Sequence, residues 1–187
     1  MNKKVVLVGT PGSGITTFLF RVSYGYFPEE YTPSVMDVLV RQTSVGGRDL
    51  ELRFWDTACH EDYNRLRPLA YPETDVFVLC YSFQNPLSMN EVATKWYPEV
   101  RGHRPQAKIV VLGLRNSDIN AGIPEVIQGF LSSHNCPHFF ADSTTGNGIE
   151  EFIVGVAGLC VSNLRPISKR KAHNNETTVS KKDFCRV

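Results

Sequence analysis

The sequence lacks any long apolar run, any framework of paired cysteines and any strong net charge. Its apolar stretches are far shorter than the roughly 20 residues that cross a bilayer, and the first, residues 5–8, is too short for a secretory signal. The five cysteines show neither CxxC nor Cys/His metal spacing, which argues against a disulfide scaffold and a zinc module. The 187 residues, 42% of them hydrophobic, predict one domain with a full core. The cysteine pattern and the short apolar runs predict the cytoplasm, where thiols stay reduced.

The charge is distributed unevenly along the chain. Residues 165–187 hold seven Lys or Arg and two acidic residues, a net charge of +5, so residues 1–164 carry −4 of the overall +1. Apolar periodicity also stops at Arg165. We therefore predict a folded domain over residues 1–164 and a basic, disordered tail over residues 165–187. Such a tail suits an anionic partner, either a membrane surface or a nucleic acid.

Strand-like and helix-like segments alternate along the folded part. Strands are predicted at residues 3–8, 38–45, 50–56, 76–81, 108–113 and 138–141, and helices at 16–24, 86–101, 124–134 and 148–164. Gly46-Gly47 predicts a hairpin, and Ser88 with Glu91 has capping-box spacing. The alternation predicts a mostly parallel sheet, whose ligands bind at the carboxyl ends of the strands. Gly9, Asp56 and Ser143 are expected to meet at that edge.

Residues 9–17 carry the most informative motif, Gly9-Thr10-Pro11-Gly12-Ser13-Gly14-Ile15-Thr16-Thr17. It joins the first strand to the first helix with the spacing of a phosphate-binding loop. Backbone N–H groups at the helix start can face phosphate oxygens. Ile15, however, replaces the lysine of such loops, which weakens phosphate binding by about 2–5 kcal/mol, roughly 30- to several-thousand-fold. The loop is therefore either a weak nucleotide site or a structural turn only.

Further segments resemble the Rho family of Ras-superfamily small GTPases. They are FPEEYTPSV (27–35, like switch I), WDTA (55–58) and EDYNRLRPLAYP (61–72, like switch II), TDVF (74–77) and KWYPEV (95–100). The resemblance covers about residues 3–164. It implies an α/β P-loop small-GTPase fold, with a six-stranded, mostly parallel sheet and helices on both faces. The short stretch from Asp118 to Phe140 implies that the extra insert helix of Rho proteins is absent.

The resemblance also implies a site for GTP or GDP with Mg²⁺. Nucleotide contacts fall on Gly12, Ser13, Gly14, Ile15, Thr16, Thr17, Tyr31, Cys59, Asp118, Ser143 and Thr144. The Mg²⁺ ligands fall on Thr16, Ser34 and Asp56, with Asp56 acting through a water.

Three residues near the expected γ-phosphate depart from the family pattern. Pro11 stands where most members have glycine and crowds the space used in stimulated hydrolysis. Cys59 replaces a glycine, and His60 replaces the glutamine that orients the attacking water. His60 is thus the catalytic candidate by position, although histidine differs from glutamine in reach and in its donors and acceptors. A Cys59–His60 nucleophile pair is an alternative, but no third group orients it.

The base-reading motif departs as well. Gly113-Leu114-Arg115-Asn116-Ser117-Asp118 stands where the family has Asn/Thr-Lys-x-Asp. Without a gap, Arg115 meets the lysine and Ser117 the aspartate; with a shift of one residue, Asp118 is the aspartate that accepts from guanine. Ser143-Thr144 stands for the Ser-Ala whose backbone contacts the guanine oxygen.

The switch surface keeps the family pattern. Partner contacts are implied for Val35, Asp37, Asp62, Tyr63, Arg65, Leu66 and Arg67. We therefore expect a Rho-like signalling protein that binds exchange factors, dissociation inhibitors or effectors, with weak or altered GTP binding and impaired hydrolysis. The alternatives are an active GTP-binding switch with an atypical loop, and a nucleotide-free adaptor.

The resemblance places such a protein in the cytoplasm or at the inner face of the plasma membrane, with no nucleic acid as partner. Cys185 is third from the end, one residue short of a prenylation motif. Without a lipid, the basic tail would attach weakly and in a salt-sensitive manner to anionic lipids.

Overall fold

The structure, a computed structural model, describes residues 1–26, 36–57, 64–115 and 122–162. Its strands are β1 (Asn2–Gly9), β2 (Asp37–Val45), β3 (Arg48–Asp56), β4 (Val76–Ser82), β5 (Lys108–Arg115) and β6 (His138–Asp142). Its α-helices are α1 (Ile15–Tyr24), α2 (Pro86–Glu91), α3 (Tyr97–His103), α4 (Glu125–His134) and α5 (Ile149–Val161). A π turn, Val92–Trp96, joins α2 to α3, and a 3₁₀ turn, Arg67–Ala70, precedes β4. The predicted strands and helices are confirmed, with shifts at their ends, except that the one helix predicted over residues 86–101 is divided by the π turn into α2 and α3.

The sheet has the strand order β2-β3-β1-β4-β5-β6. β2 pairs with β3 antiparallel, and the other pairings are parallel. Gly46 and Gly47 both have positive φ, 58° and 72°, as a two-residue hairpin turn of type I′ requires. The six-stranded, mostly parallel sheet predicted from the sequence is confirmed.

Strand β1 is buried on both faces, so its successive side chains enter different layers of the core. Val5 and Leu7 belong to a cluster that contains Phe18 of α1 and Phe152 of α5, whose rings meet edge to face at 5.3 Å. Val6 and Val8 belong to the other cluster, with side chains of the π turn, α3 and α4. Helices therefore cover both faces, as predicted.

The prediction of a capping box at the start of α2 is wrong. Asn85 is the N-cap, and its side chain accepts a hydrogen bond from the Ser88 N–H. The Ser88 hydroxyl instead accepts from the Ser82 N–H at 2.9 Å and ties the helix to β4. Glu91 is turned away from the cap and contacts Thr10. Asn85 caps the helix because its carboxamide accepts from two N–H groups of the first turn, and proline occupies the first helical position.

Two further predictions concern segments that the structure describes in part or not at all. The insert helix of Rho proteins, predicted to be absent, would lie between β5 and α4; residues 122–124 of that connection are described and are not helical, and the absence stays a prediction. The predicted tail, residues 165–187, lies outside the described residues. Within the described ranges, no helix is both long and apolar enough to cross a bilayer.

Candidate functional site

The carboxyl ends of the parallel strands meet at one edge of the sheet. Gly9 of β1 pairs with Cys80 of β4, and Asp56 of β3 pairs with Leu7 of β1. At the other side, Arg115 of β5 pairs with Asp142 of β6, which directly precedes Ser143. The expectation that Gly9, Asp56 and Ser143 share this edge is confirmed by the register.

The loop after β1 has the backbone of an anion cradle. Gly12 and Gly14 have φ of 78° and 89°, values that glycine adopts without a steric cost. Gly14 is the N-cap of α1 and offers no side chain to its first-turn N–H groups. The hydroxyl of Ser13, whose side chain is 3% exposed, has no hydrogen-bond partner among the described residues. Orphan donors at a helix start and a buried hydroxyl fit phosphate oxygens as partners.

Ile15, in the position of the missing lysine, is part of the hydrophobic core. Its side chain is 1% exposed and belongs to the cluster formed with α1 and α5. A Cβ placed on Gly9 would lie 2.8 Å from Ile15 Cδ1 and 2.9 Å from the Cys80 carbonyl oxygen. Ile15 therefore lies across Gly9 against β1 and β4, and supplies neither charge nor hydrogen bond to the loop.

The lysines near the start of β1 are engaged at the opposite end of that strand. Lys3 pairs with Asp75 at 2.6 Å. Lys4 donates to the Pro72 carbonyl at 3.1 Å and lies over the Trp55 ring. Burial lowers the pKa of Lys4. Neither side chain substitutes for a cation at Ile15.

The expected Mg²⁺ ligands Thr16 and Asp56 do meet. The Thr16 hydroxyl donates to Asp56 Oδ2 at 2.6 Å, and Asp56 is 6% exposed. The Thr57 hydroxyl donates to the Leu7 carbonyl at 2.5 Å and fixes the end of β3 beside β1. A hydroxyl with a carboxylate fits a hard cation such as Mg²⁺. No cluster of three His, Cys, Asp or Glu side chains able to hold a metal occurs in the described part of the chain.

Asp142, which the sequence did not single out, shapes the loop expected to face the base. Its Oδ1 accepts from the Thr144 N–H at 2.7 Å and from the Thr145 N–H at 3.2 Å. A Cβ on Gly148 would lie 2.0 Å from the Phe140 carbonyl oxygen, so only glycine fits there. Aspartate before Ser-Thr-Thr-Gly is a signal for such a turn. The Thr144 N–H is thus engaged within the loop.

Several predicted site residues lie outside the described residues: Tyr31, Ser34, Val35, Cys59, His60, Asp62, Tyr63 and Asp118. Asp37, a predicted partner contact, begins β2 opposite Asp56 and is half-buried. Thr17 and Thr144 are exposed, and Thr16 and Ser143 are half-buried.

The remaining predicted partner contacts lie within residues 64–71 and differ in their exposure. Arg65 and Leu66 are exposed, but Arg67 is only 4% exposed. The Arg67 guanidinium lies 4.7 Å from the centroid of the Trp96 ring. Leu69, which the sequence did not mark, is 72% exposed. Exposed apolar side chains therefore accompany a buried arginine in this segment.

Comparisons with known proteins agree with this geometry. The family model described as the Ras family matches residues 4–157. The chain is 36% identical over 185 residues to the GTP-binding protein rho4 of Schizosaccharomyces pombe, covering 90% of this chain and 91% of that protein. It is 45% identical over 117 residues to the GTP-binding protein rhoC of Emericella nidulans, covering 62% of this chain and 42% of that protein.

Proposed function

The chain belongs to the Ras family of small GTPases and within it to the Rho type, and on that premise we propose that it signals with weak nucleotide binding and impaired GTP hydrolysis. Rho-type small GTPases signal through guanine nucleotides with Mg²⁺ and through regulators and effectors. In this chain the partner-binding surface is proposed to carry the function, while the nucleotide contributes less than in its relatives.

The observation that carries the proposal is the burial of Ile15. The phosphate cradle keeps its backbone form, with Gly12 and Gly14 in the left-handed region. At position 15, however, an apolar side chain fills the core in place of a cation. A charge-assisted hydrogen bond is about twice as strong as a neutral one. The remaining backbone N–H donors then bind phosphate without the charged side chain that would contribute the strongest hydrogen bond.

Impaired hydrolysis follows from the residues around the expected γ-phosphate. His60 stands in the position of the water-orienting glutamine, and Cys59 in that of the preceding glycine. Pro11, which the structure shows half-buried in the loop, adds a ring on the side where hydrolysis would occur. Guanine preference is proposed to rest on Asp118 or on backbone groups near Ser143.

One observation favours a second candidate, an active GTP-binding switch with an atypical loop. The Thr16 hydroxyl and the Asp56 carboxylate lie 2.6 Å apart at the loop, so the two described groups of the expected Mg²⁺ site are intact. If a bound Mg²⁺ and the backbone donors compensate for the lost lysine, tight binding is retained.

Titration of the full chain with fluorescent GTP and GDP, with and without Mg²⁺, separates the candidates. The proposal expects measurable binding that is weaker than sub-micromolar, and phosphate release no faster than in buffer. Sub-micromolar affinity would support the active switch, and sustained phosphate release above buffer would refute impaired hydrolysis. A protein with no bound nucleotide and no thermal shift on adding GTP would be the nucleotide-free adaptor.

We also propose that partners bind the exposed part of residues 64–71, together with Val35, Asp37, Asp62 and Tyr63. Leu66 and Leu69 offer apolar area, and Arg65 offers charge, a combination typical of binding surfaces. The double change Leu66→Ser and Leu69→Ser is expected to abolish capture by a Rho-type exchange factor or dissociation inhibitor. The matched change Val154→Ser, at an exposed apolar residue of α5, should leave capture unchanged.

The basic tail is proposed to add a weak attraction to anionic lipid. Seven basic residues, at about 1 kcal/mol each near such a surface, give salt-sensitive attachment. Co-sedimentation with phosphatidylserine vesicles should fall as salt rises, and it should disappear when residues 165–187 are removed. Equal sedimentation of the shortened protein would refute this role.

A further inference from the structure

The helical segment between β4 and β5 is not regular, and its irregular turn lies against the phosphate loop. The π turn Val92–Trp96 interrupts the helix between α2 and α3. Such turns are rare and often occur at functional sites, because the extra residue rotates the side chains that follow it. Glu91 lies directly before the turn and Trp96 ends it. Both side chains reach the same residue of the loop, Thr10.

The Thr10 hydroxyl is held by one donor and one acceptor on this segment. It donates to Glu91 Oε2 at 2.5 Å, and it accepts from Trp96 Nε1 at 3.4 Å. The Trp96 indole is buried. A buried N–H that loses its acceptor is costly, so the indole and the loop residue must move together.

The other contacts of Trp96 lead to the segment that carries the exposed partner residues. Arg67 lies over the ring at 4.7 Å from its centroid, and Lys95 lies 4.5 Å from it. Arg67 Nη1 is 3.6 Å from Glu99 Oε2. The Tyr71 hydroxyl donates to Glu99 Oε1 at 2.5 Å. Arg67 and Tyr71 therefore attach the 3₁₀ turn to Trp96 of the π turn and to Glu99 of α3.

We propose that Trp96 couples the phosphate loop to residues 64–71, with Thr10 and Arg67 as the positioning residues on its two sides. A shift of Thr10 on ligand binding moves the indole, and the arginine stacked on that indole follows. Arg67 thereby acts from within the fold, while its neighbours Leu66 and Leu69 meet the partner. Coupling between two such places is reciprocal, because it is one free energy seen from either end.

Whether this coupling affects partner binding at Leu66 and Leu69 rests on the proposed function, whereas the coupling itself does not. It is a property of the full chain without any nucleotide, so it can be tested before nucleotide affinity is known. A failure here leaves the proposal of weak nucleotide binding untouched, and weak binding leaves this proposal untouched.

The forward test removes the Thr10 hydroxyl with Thr10→Val, which keeps the shape of the side chain. The chain has two tryptophans, so the indole resonance of Trp96 is easily assigned by NMR. We expect it to shift, and we expect amide exchange of Leu69 and Tyr71 to rise roughly three- to tenfold, as for one lost hydrogen bond. These two amides donate to the Leu66 and Pro68 carbonyls and close the 3₁₀ turn.

The matched control is Thr94→Val in the same π turn. Thr94 is exposed, and its hydroxyl donates to the Asn90 carbonyl at 3.0 Å. This variant makes the same chemical change on the face away from the loop. It should leave both the Trp96 resonance and the exchange of Leu69 and Tyr71 as in the wild type.

The reverse test changes the far side of Trp96 with Arg67→Met, and Arg65→Met serves as its exposed control. Arg67→Met should raise exchange of the Ser13 amide, which donates to the Thr10 carbonyl at 3.1 Å; the control should not. Unchanged exchange at Ser13, or unchanged Leu69 and Tyr71 in Thr10→Val, overturns the coupling. If amide exchange at Gln128 of α4 rises as much as at these amides in both Thr10→Val and Arg67→Met, the substitutions loosen the whole fold, and this result also overturns the coupling.

Discussion

Ile15 and Thr16 are neighbours in the phosphate-loop motif, at the start of α1, yet their side chains belong to different parts of the protein. Thr16 faces the sheet edge and donates to Asp56, so the side of the loop expected to hold Mg²⁺ keeps its polar groups. Ile15 turns back over Gly9 into the core, so the side expected to hold phosphate has lost its charge. A loop with the phosphate-binding motif can therefore keep its backbone form and its Thr16–Asp56 pair while an apolar residue of the core occupies the position of the cation.

The largest effect that separates the two neighbours is on stability. Ile15→Ala should lower the free energy of unfolding by about 2–5 kcal/mol, because it opens a cavity between α1 and the strands β1 and β4. Thr16→Ala should cost about 0.5–1.5 kcal/mol for one partly exposed hydrogen bond. Urea denaturation followed by circular dichroism measures both. Equal losses for the two variants would contradict the assignment of Ile15 to the core.

Gly9 tests the contact that holds Ile15 in place. Gly9→Ala should destabilise by roughly 1–3 kcal/mol, because the added methyl group would meet Ile15 and the Cys80 carbonyl. Gly102→Ala is the matched control, since a Cβ at Gly102 meets nothing within 4 Å. Thermal unfolding compares the two variants. A Gly9→Ala protein as stable as the control would show that Ile15 does not lie across the glycine.

The side of the loop expected to hold Mg²⁺ is probed by Asp56→Asn, which keeps an acceptor for Thr16 and removes the charge. Loss of a group that contacts a metal ion through a bound water lowers metal affinity by about 10- to 100-fold. The stimulation of nucleotide binding by Mg²⁺ should therefore fall, as measured by fluorescence titration at several Mg²⁺ concentrations. Asp49→Asn, at the exposed far end of the same strand, should leave the Mg²⁺ dependence unchanged.

A smaller effect is expected at the loop after β6. Asp142→Ala removes the acceptor of the Thr144 and Thr145 N–H groups and should cost about 0.5–2 kcal/mol, as for a lost cap. Asp142→Asn keeps the Oδ1 acceptor and should cost less. Chemical denaturation of the two variants decides the matter; if Asp142→Asn costs as much as Asp142→Ala, the loop depends on the charge and not on the turn.

The fold could be predicted because its signals are local and repeated. Apolar β-branched runs predicted the strands, and the Gly46-Gly47 hairpin was predicted because both residues need positive φ. The edge shared by Gly9, Asp56 and Ser143 followed from the rule that the carboxyl ends of parallel strands meet there. The pairing of Thr16 with Asp56 was implied by the resemblance to small GTPases and not by the spacing.

Other features depend on side-chain choices that a linear pattern does not reveal. Ser88 and Glu91 have capping-box spacing, but Asn85 takes the cap and Glu91 bonds Thr10, which is 81 positions away along the chain. Arg67 matched an exposed motif, yet it is buried on Trp96. A π turn has no sequence signature of its own, so the rotation that aligns Trp96 with the loop appears only in three dimensions.

The central claim, that the missing cation separates this loop from those of its relatives, is tested most directly by Ile15→Lys. The aliphatic stem of lysine can follow the path of isoleucine over Gly9 and place its ammonium at the cradle. With Mg²⁺ present, Ile15→Lys should bind fluorescent GTP about 30- to several-thousand-fold more tightly than the wild type, while Ile15→Met should match the wild type. An Ile15→Lys protein that is folded by circular dichroism but binds GTP no better than Ile15→Met would contradict the account.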